Sequence, residues 1–178
     1  MEKSATKVIT GKVRFSYLHV FEPKAINEGA DPKYSVALLI PKSDTVTINK
    51  IKAAVQAALE QGKAKFGGKL PKVFKQPLRD GDEERGDDEN YEGMMFLNAN
   101  SNTKPGVVDK DVNPIMDREE LYSGCYGRAS INFYAFSVSG NKGVACGLNN
   151  LQKLADGERL SGGSSAEDDF GDDADDLM

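Results

Sequence analysis

Residues 122–138, YSGCYGRASINFYAFSV, change character with every step, and this alternation constrains the fold more than any other feature of the chain. One parity carries Cys125, Gly127, Ala129, Ile131, Phe133 and Ala135; the other carries Tyr126, Arg128, Ser130, Asn132, Tyr134 and Phe136. Successive side chains of a strand point to opposite faces, so the pattern predicts a long strand with a small, apolar core row and a second row of rings, a guanidinium and hydrogen-bonding groups. The turn SGNKG and a return strand over 143–151 complete a hairpin.

The remaining elements fit around that hairpin. Residues 7–21, KVITGKVRFSYLHVF, read as a strand bent at Gly11, and KYSVALLIP, 33–41, as another. Short strands are expected over 94–98 and 105–108. One helix is expected, over about 45–61, with Ile48, Ile51, Val55, Ala58 and Leu59 at helical spacing, a cap among Ser43, Asp44 and Thr45, and Gly62 at its end. About five strands, one inserted helix and no βαβ alternation predict a mainly β fold, an OB-like five-stranded barrel. At 178 residues the chain suits one domain, 1–160, followed by a tail, 161–178.

The net charge of −5 conceals a segregation along the chain. Residues 1–79 hold 15 Lys and Arg against six Asp and Glu, whereas 80–92, DGDEERGDDENYE, holds eight acids and only Arg85. Residues 161–178, SGGSSAEDDFGDDADDLM, add seven acids and no base. A basic body with acidic appendages suits a polyanionic ligand. The tail has too few apolar groups to offset the entropy of ordering and is expected to be disordered, with an end-to-end distance on the order of 25 Å.

Rings interleaved with cations bind single strands, because bases stack on aromatic faces while Lys and Arg hold the phosphates. The candidates are Tyr126, Tyr134 and Phe74 for stacking, Lys12, Arg14, Lys72, Lys75 and Arg128 for the backbone, and Asn132 for a base edge. The polar row of 122–138 admits two readings, a ligand face or plain packing that covers a sheet; KFGGKLPKVFK, 65–75, is either a clamping arm or a solvated loop.

Other chemistries fit less well. With His19 the single histidine, no nucleophilic triad assembles. Cys125 and Cys146 stand apart and read as reduced, buried apolar residues, so no structural zinc site and no cofactor are expected. In DKDVNPIMDREE, 109–120, the acids approach calcium-loop spacing, but Pro114 takes the place of the required glycine. Two rivals remain: a metal-dependent nuclease using acids of 80–89 or 109–117, revealed by magnesium-dependent DNA degradation, and an interaction module acting through its tail, favoured if salt-sensitive DNA binding is absent. No apolar run reaches the roughly 20 residues of a membrane helix, and the start of the sequence lacks a signal-peptide pattern.

Five stretches, PLRDGDEE (77–84), VVDKDVNPIMD (107–117), YSGCYGRASINFYAF (122–136), KGVACGLNNLQKLADGERL (142–160) and EDDF (167–170), resemble phage-encoded single-stranded DNA-binding proteins, a group distantly similar to the DNA-binding protein of T7-like phages. The resemblance implies an OB fold with elaborated loops, no enzymatic activity, a role in phage replication or recombination, and location in the cytoplasm of the infected bacterium. It also implies an acidic tail that moderates DNA binding and recruits phage or host replication proteins, matched here by Asp168, Asp169, Asp172, Asp173, Asp175 and Asp176. The T7-like tail ends in an aromatic residue, whereas this sequence ends Leu177-Met178 with Phe170 set inside. Whether duplex DNA is a further ligand stays open, since the basic segment attracts any polyanion to some degree.

Overall fold

The computed structural model describes residues 5–25, 29, 31–117, 119–138 and 140–160. The expected tail, 161–178, lies outside the described residues. Among the described residues, eight strands and one principal helix make up the fold: β1 (Lys7–Ile9), β2 (Val13–Lys24), β3 (Lys33–Pro41), α1 (Thr45–Gln61), β4 (Arg79–Asp80), the one-turn α2 (Gly81–Glu84), β5 (Met94–Ser101), β6 (Gly106–Val108), β7 (Tyr126–Val138) and β8 (Asn141–Ala155).

Five of these strands close on themselves. β7 pairs β2, β2 pairs β3, β3 pairs β5, β5 meets β8 in parallel, and β8 returns to β7, which gives the expected five-stranded barrel. β1 extends the ring beside β7, β6 lies parallel to β8, and β4 pairs β5. The β7–β8 ribbon is the longest element, running from Tyr126↔Ala155 to Val138↔Asn141.

Cys125, Gly127, Ala129, Ile131, Phe133 and Ala135 are all buried, as their parity predicts, alongside Phe15, Val36, Leu38, Ile40, Leu97 and Ala99. α1 adds its apolar stripe, Ile48, Ile51, Ala54, Val55, Ala58 and Leu59, to the same core. Asp44 caps the helix by accepting from the Thr47 amide at 3.1 Å. At the other end Gly62 lies so close to Ala135 that a side chain there has no room.

Two strand expectations are corrected. Residues 7–21 are not one strand, because the chain breaks at Gly11, where a Cβ would lie 2.9 Å from the Asp44 carboxylate and 3.0 Å from the Thr47 hydroxyl. The Gly11 amide donates to that hydroxyl at 2.9 Å, so the start of α1 pulls the chain out of strand geometry. The strand expected from 122 begins at Tyr126 instead, because residues 122–125 turn, with Gly124 at φ 116°.

Both cysteines are free and buried, and burial pushes the Cys146 thiol well above its ordinary range. A thiol reagent such as DTNB is therefore expected to leave the folded protein unmodified and to titrate two thiols in denaturant; rapid reaction of native protein would contradict this packing. Gly127→Ala is expected to lower the unfolding free energy by about 1–3 kcal/mol in urea titrations through overpacking, since its methyl would sit 2.1 Å from the Gln152 carbonyl oxygen and 2.8 Å from the Phe15 ring.

Candidate nucleic-acid interface

The polar parity of β7 faces outward. Arg128 and Tyr134 are exposed, and Tyr126, Ser130, Asn132 and Phe136 are partly so. Three groups of residues lie along this face.

At the first end β2 and β7 place Arg14 directly opposite Tyr126. The Arg14 guanidinium lies 5.4 Å from the Tyr126 ring centroid and the Lys12 ammonium 5.2 Å, within cation–π reach. Arg14 is fixed by donating to the Gly124 carbonyl at 3.2 Å and the Glu158 carbonyl at 2.7 Å. Beside it the Tyr122 hydroxyl donates to the Gly157 carbonyl at 3.0 Å, and the Arg159 guanidinium stands 4.3 Å from the Tyr122 ring centroid. Tyr122 and Arg159 escape a strand-based reading because turns, not alternation, bring them here.

In the middle, Arg128 donates through Nε to the Gln152 side chain at 2.6 Å, and Gln152 Nε2 donates to the carbonyls of Asp109 and Lys110 at 3.3 Å each. Ser130 accepts from Asn149 at 3.4 Å. β1 sets Lys7 opposite Asn132 and Ile9 opposite Ser130, so two residues of β1 join this face. The signal for them was available in the matching alternation of KVI, but the partner strand was not.

At the far end Tyr134 and Phe136 pair with Ala145 and Gly143, and Lys75 bridges to Gly143. Phe74 is partly buried and packs on the core, lining a crevice with Ile51, Val55, Leu78 and Met95. Lys72 is exposed beside Val73. The structure thus gathers Lys12, Arg14 and Tyr126 at one end, Arg128 and Asn132 along the strand, and Tyr134 with Lys75 at the other.

The acidic residues turn out to have structural partners. Asp80 caps α2 by accepting from the Asp82 amide at 2.9 Å, and Asp88 accepts from the Asn90 amide at 3.0 Å. Lys42 joins Asp80 at 2.9 Å and Asp82 at 2.7 Å; these hydrogen bonds, that with Asp82 foremost, push its ammonium up to about 12 and hold both carboxyls below their ordinary range. Asp109 accepts from the amides of Asp111 and Asn113, closing a turn. Among the described residues no group of three or more His, Cys, Asp or Glu is placed to hold a metal ion, and no helix is long and apolar enough to cross a membrane.

A closed five-stranded barrel with one inserted helix, carrying rings and cations along one outer strand face, defines an OB-like nucleic-acid-binding architecture. The family described as "Enterobacter phage Enc34, ssDNA-binding protein" matches residues 6–178, and this chain belongs to that family. A protein called p50 from Acyrthosiphon pisum secondary endosymbiont phage 1 is 32% identical over 170 residues, which cover 90% of this chain and 89% of the relative. The single-stranded DNA-binding protein of bacteriophage Enc34, solved in complex with ssDNA, is 25% identical with a TM-score of 0.78, covering 89% of this chain and 91% of that one. The gp2.5 single-stranded DNA-binding protein of bacteriophage T7 shares the fold, with a TM-score of 0.60 at 14% identity over 93% of each chain.

Since Lys42 holds the Asp80 and Asp82 carboxyls down, the pairing persists above the ordinary carboxylate range and is lost as pH falls through the lowered values. Lys42→Ala is expected to raise both titration midpoints toward ordinary aspartate values in carboxyl-detected NMR; unchanged midpoints would contradict the pairing.

Proposed function

We propose that this protein covers exposed single-stranded DNA during phage replication or recombination, in the cytoplasm of the infected bacterium, largely without regard to sequence. The observation that carries this reading is the outer β7 face, with Lys12 and Arg14 flanking Tyr126 and with Arg128, Asn132 and Tyr134 following along one strand. The likeness to the Enc34 protein, whose structure holds ssDNA, supports it. Tyr126 and Tyr134, with Phe74 beside the far end, serve as stacking surfaces for bases, and Lys12, Arg14, Lys72, Lys75 and Arg128 neutralise phosphates. Asn132 offers its amide to a base edge. The same cations give duplex DNA a weaker, salt-sensitive hold.

The body, 1–160, is the binding domain in this reading, and 161–178 acts as a tethered polyanion that competes with DNA and recruits phage or host replication proteins. Asp168, Asp169, Asp172, Asp173, Asp175 and Asp176 supply the charge and Phe170 an apolar point for a partner. Support comes from where the body leads into this segment: Arg14 grips the Glu158 carbonyl, and the Leu160 amide donates to Ser123 at 2.9 Å, so the chain reaches residue 160 beside the Lys12–Arg14–Tyr126 corner. A competitor attached there acts at high local concentration.

The test is fluorescence anisotropy of labelled oligo-dT with the full chain and a 1–160 truncation over a salt series. Both are expected to bind, the truncation more tightly, with affinity falling steeply as salt rises. No binding at low salt refutes the reading. In the 1–160 protein, Tyr126→Ala with Tyr134→Ala is expected to cost about 1–3 kcal/mol per lost ring with the circular dichroism spectrum retained; unchanged affinity in a folded variant would place the binding face elsewhere.

A further inference from the structure

We infer that the middle of this face contains a pocket for one nucleobase and that it favours guanine over adenine. The inference rests on the single-strand-binding reading and deepens it. A hollow of about 220 Å³ opens where four strands lie side by side in the order β1, β7, β8, β6. Its floor, from the two central strands, sets the polar side chains of Arg128, Ser130, Asn150 and Gln152 around Ala129 and Leu151. Ile9 of β1 rises on one side, and Val108 and Val112 beyond β8 on the other. A hollow of this size accommodates one flat ring. Apolar walls with a polar floor are what a base requires, because its faces are apolar and its edge is not.

Backbone strain maintains one of these walls. Val112 is held at φ 66°, in the left-handed region that a β-branched residue avoids. The Asp109 turn enforces it: the carboxylate accepts from the Asp111 and Asn113 amides at 2.9 and 3.0 Å, the Asp109 amide donates to the Asn113 carbonyl at 2.9 Å, and the Val112 amide donates to the Asp109 carbonyl at 3.0 Å. The side chain so presented is 67% exposed. A strained turn that sets an apolar side chain in solvent at the rim of a polar-floored hollow is accounted for by a ligand that covers it.

The floor offers mainly donors. Arg128 uses Nε on Gln152, and Gln152 uses its amide hydrogens on the 109–110 carbonyls, which fixes the guanidinium plane while leaving both Nη groups for a ligand. Asn150 spends its oxygen on the Gly106 amide at 3.1 Å, so its NH₂ remains. Two adjacent donors match the guanine edge that presents O6 and N7 together, whereas adenine places its N6 amino donor beside N7. Where a guanine enters this pocket, Arg128 therefore leaves phosphate contact and reads the base edge.

The experiment measures anisotropy of the full chain with labelled d(TTG)₅, d(TTA)₅ and d(T)₁₅ under identical salt. The expected result is three- to tenfold tighter binding of d(TTG)₅ than of d(TTA)₅, with the ratio falling toward one when 7-deazaguanine removes N7. Arg128→Lys keeps the charge but loses the fork, and Val112→Gly relieves the strain and removes one wall; each is expected to bring the ratio within twofold of one. Binding of d(T)₁₅ with equal affinity for the other two oligonucleotides overturns the pocket and leaves the single-strand reading standing. An undiminished ratio in both folded variants also overturns it, and failure to bind any of the three refutes both.

Discussion

Phe15 lies against the bare backbone of Gly127, and the rest of the structure depends on that contact. A Cβ at Gly127 would come within 2.1 Å of the Gln152 carbonyl oxygen of β8 and 2.8 Å of the Phe15 ring, so both β8 and β2 approach β7 this closely because the position has no side chain. The Phe15 amide donates to the Cys125 carbonyl at 2.9 Å, and its carbonyl accepts from the Gly124 amide at 2.7 Å. This seam closes one side of the barrel, and it also sets the register that brings Arg14 opposite Tyr126. Packing on the inside of the seam thus determines the chemistry on the outside, since a one-residue slip turns every side chain of a strand to the other face.

The charge pattern is resolved by the same kind of local arrangement. Of the acids of 80–92, Asp80 and Asp88 cap short turns, Asp80 and Asp82 pair with Lys42 and Glu84 with Arg79, and Arg85 lies over the rings of Tyr17, Tyr91 and Phe96. These exposed pairs stabilise little by themselves. Their effect is to hold part of a strongly acidic segment onto Lys42 and Arg79, over the small cluster of Leu39, Tyr91 and Phe96. The cations of the β7 face have a different environment: Lys12 and Arg14 flank a ring and carbonyls, with no carboxylate partner among the described residues.

The sequence made regular elements legible wherever periodicity and local chemistry agreed. The helix over 45–61 and the strand over 33–41 have the limits their caps, proline and spacing predict, and the two rows of β7 fall on the faces their parity assigns. What stayed hidden was set by distant contacts. The break at Gly11 arises from Asp44 and Thr47 at the start of α1, more than thirty positions away in the chain. Phe74, which reads as part of a lysine-rich arm, is drawn onto Leu78, Met95 and α1, because a lone ring gains more from an apolar crevice than from solvent. Tyr122 and Arg159 meet only because the chain turns at Gly124 and returns after β8.

The outer face also owes its accessibility to the partner strand. Across the ladder, Phe136, Tyr134 and Asn132 stand opposite Gly143, Ala145 and Gly147, so each larger side chain has a small neighbour or none. At Gly147 a Cβ would meet the Asn132 amide oxygen at 2.9 Å. Cross-strand neighbours of ordinary size would pack over these groups and bury them. With small residues on β8, the rings and the amide keep their outer surfaces open while their strand remains fully paired. In the proposed binding mode the 132–136 stretch of β7 supplies contacting groups, and the facing 143–147 stretch of β8 supplies the room for them.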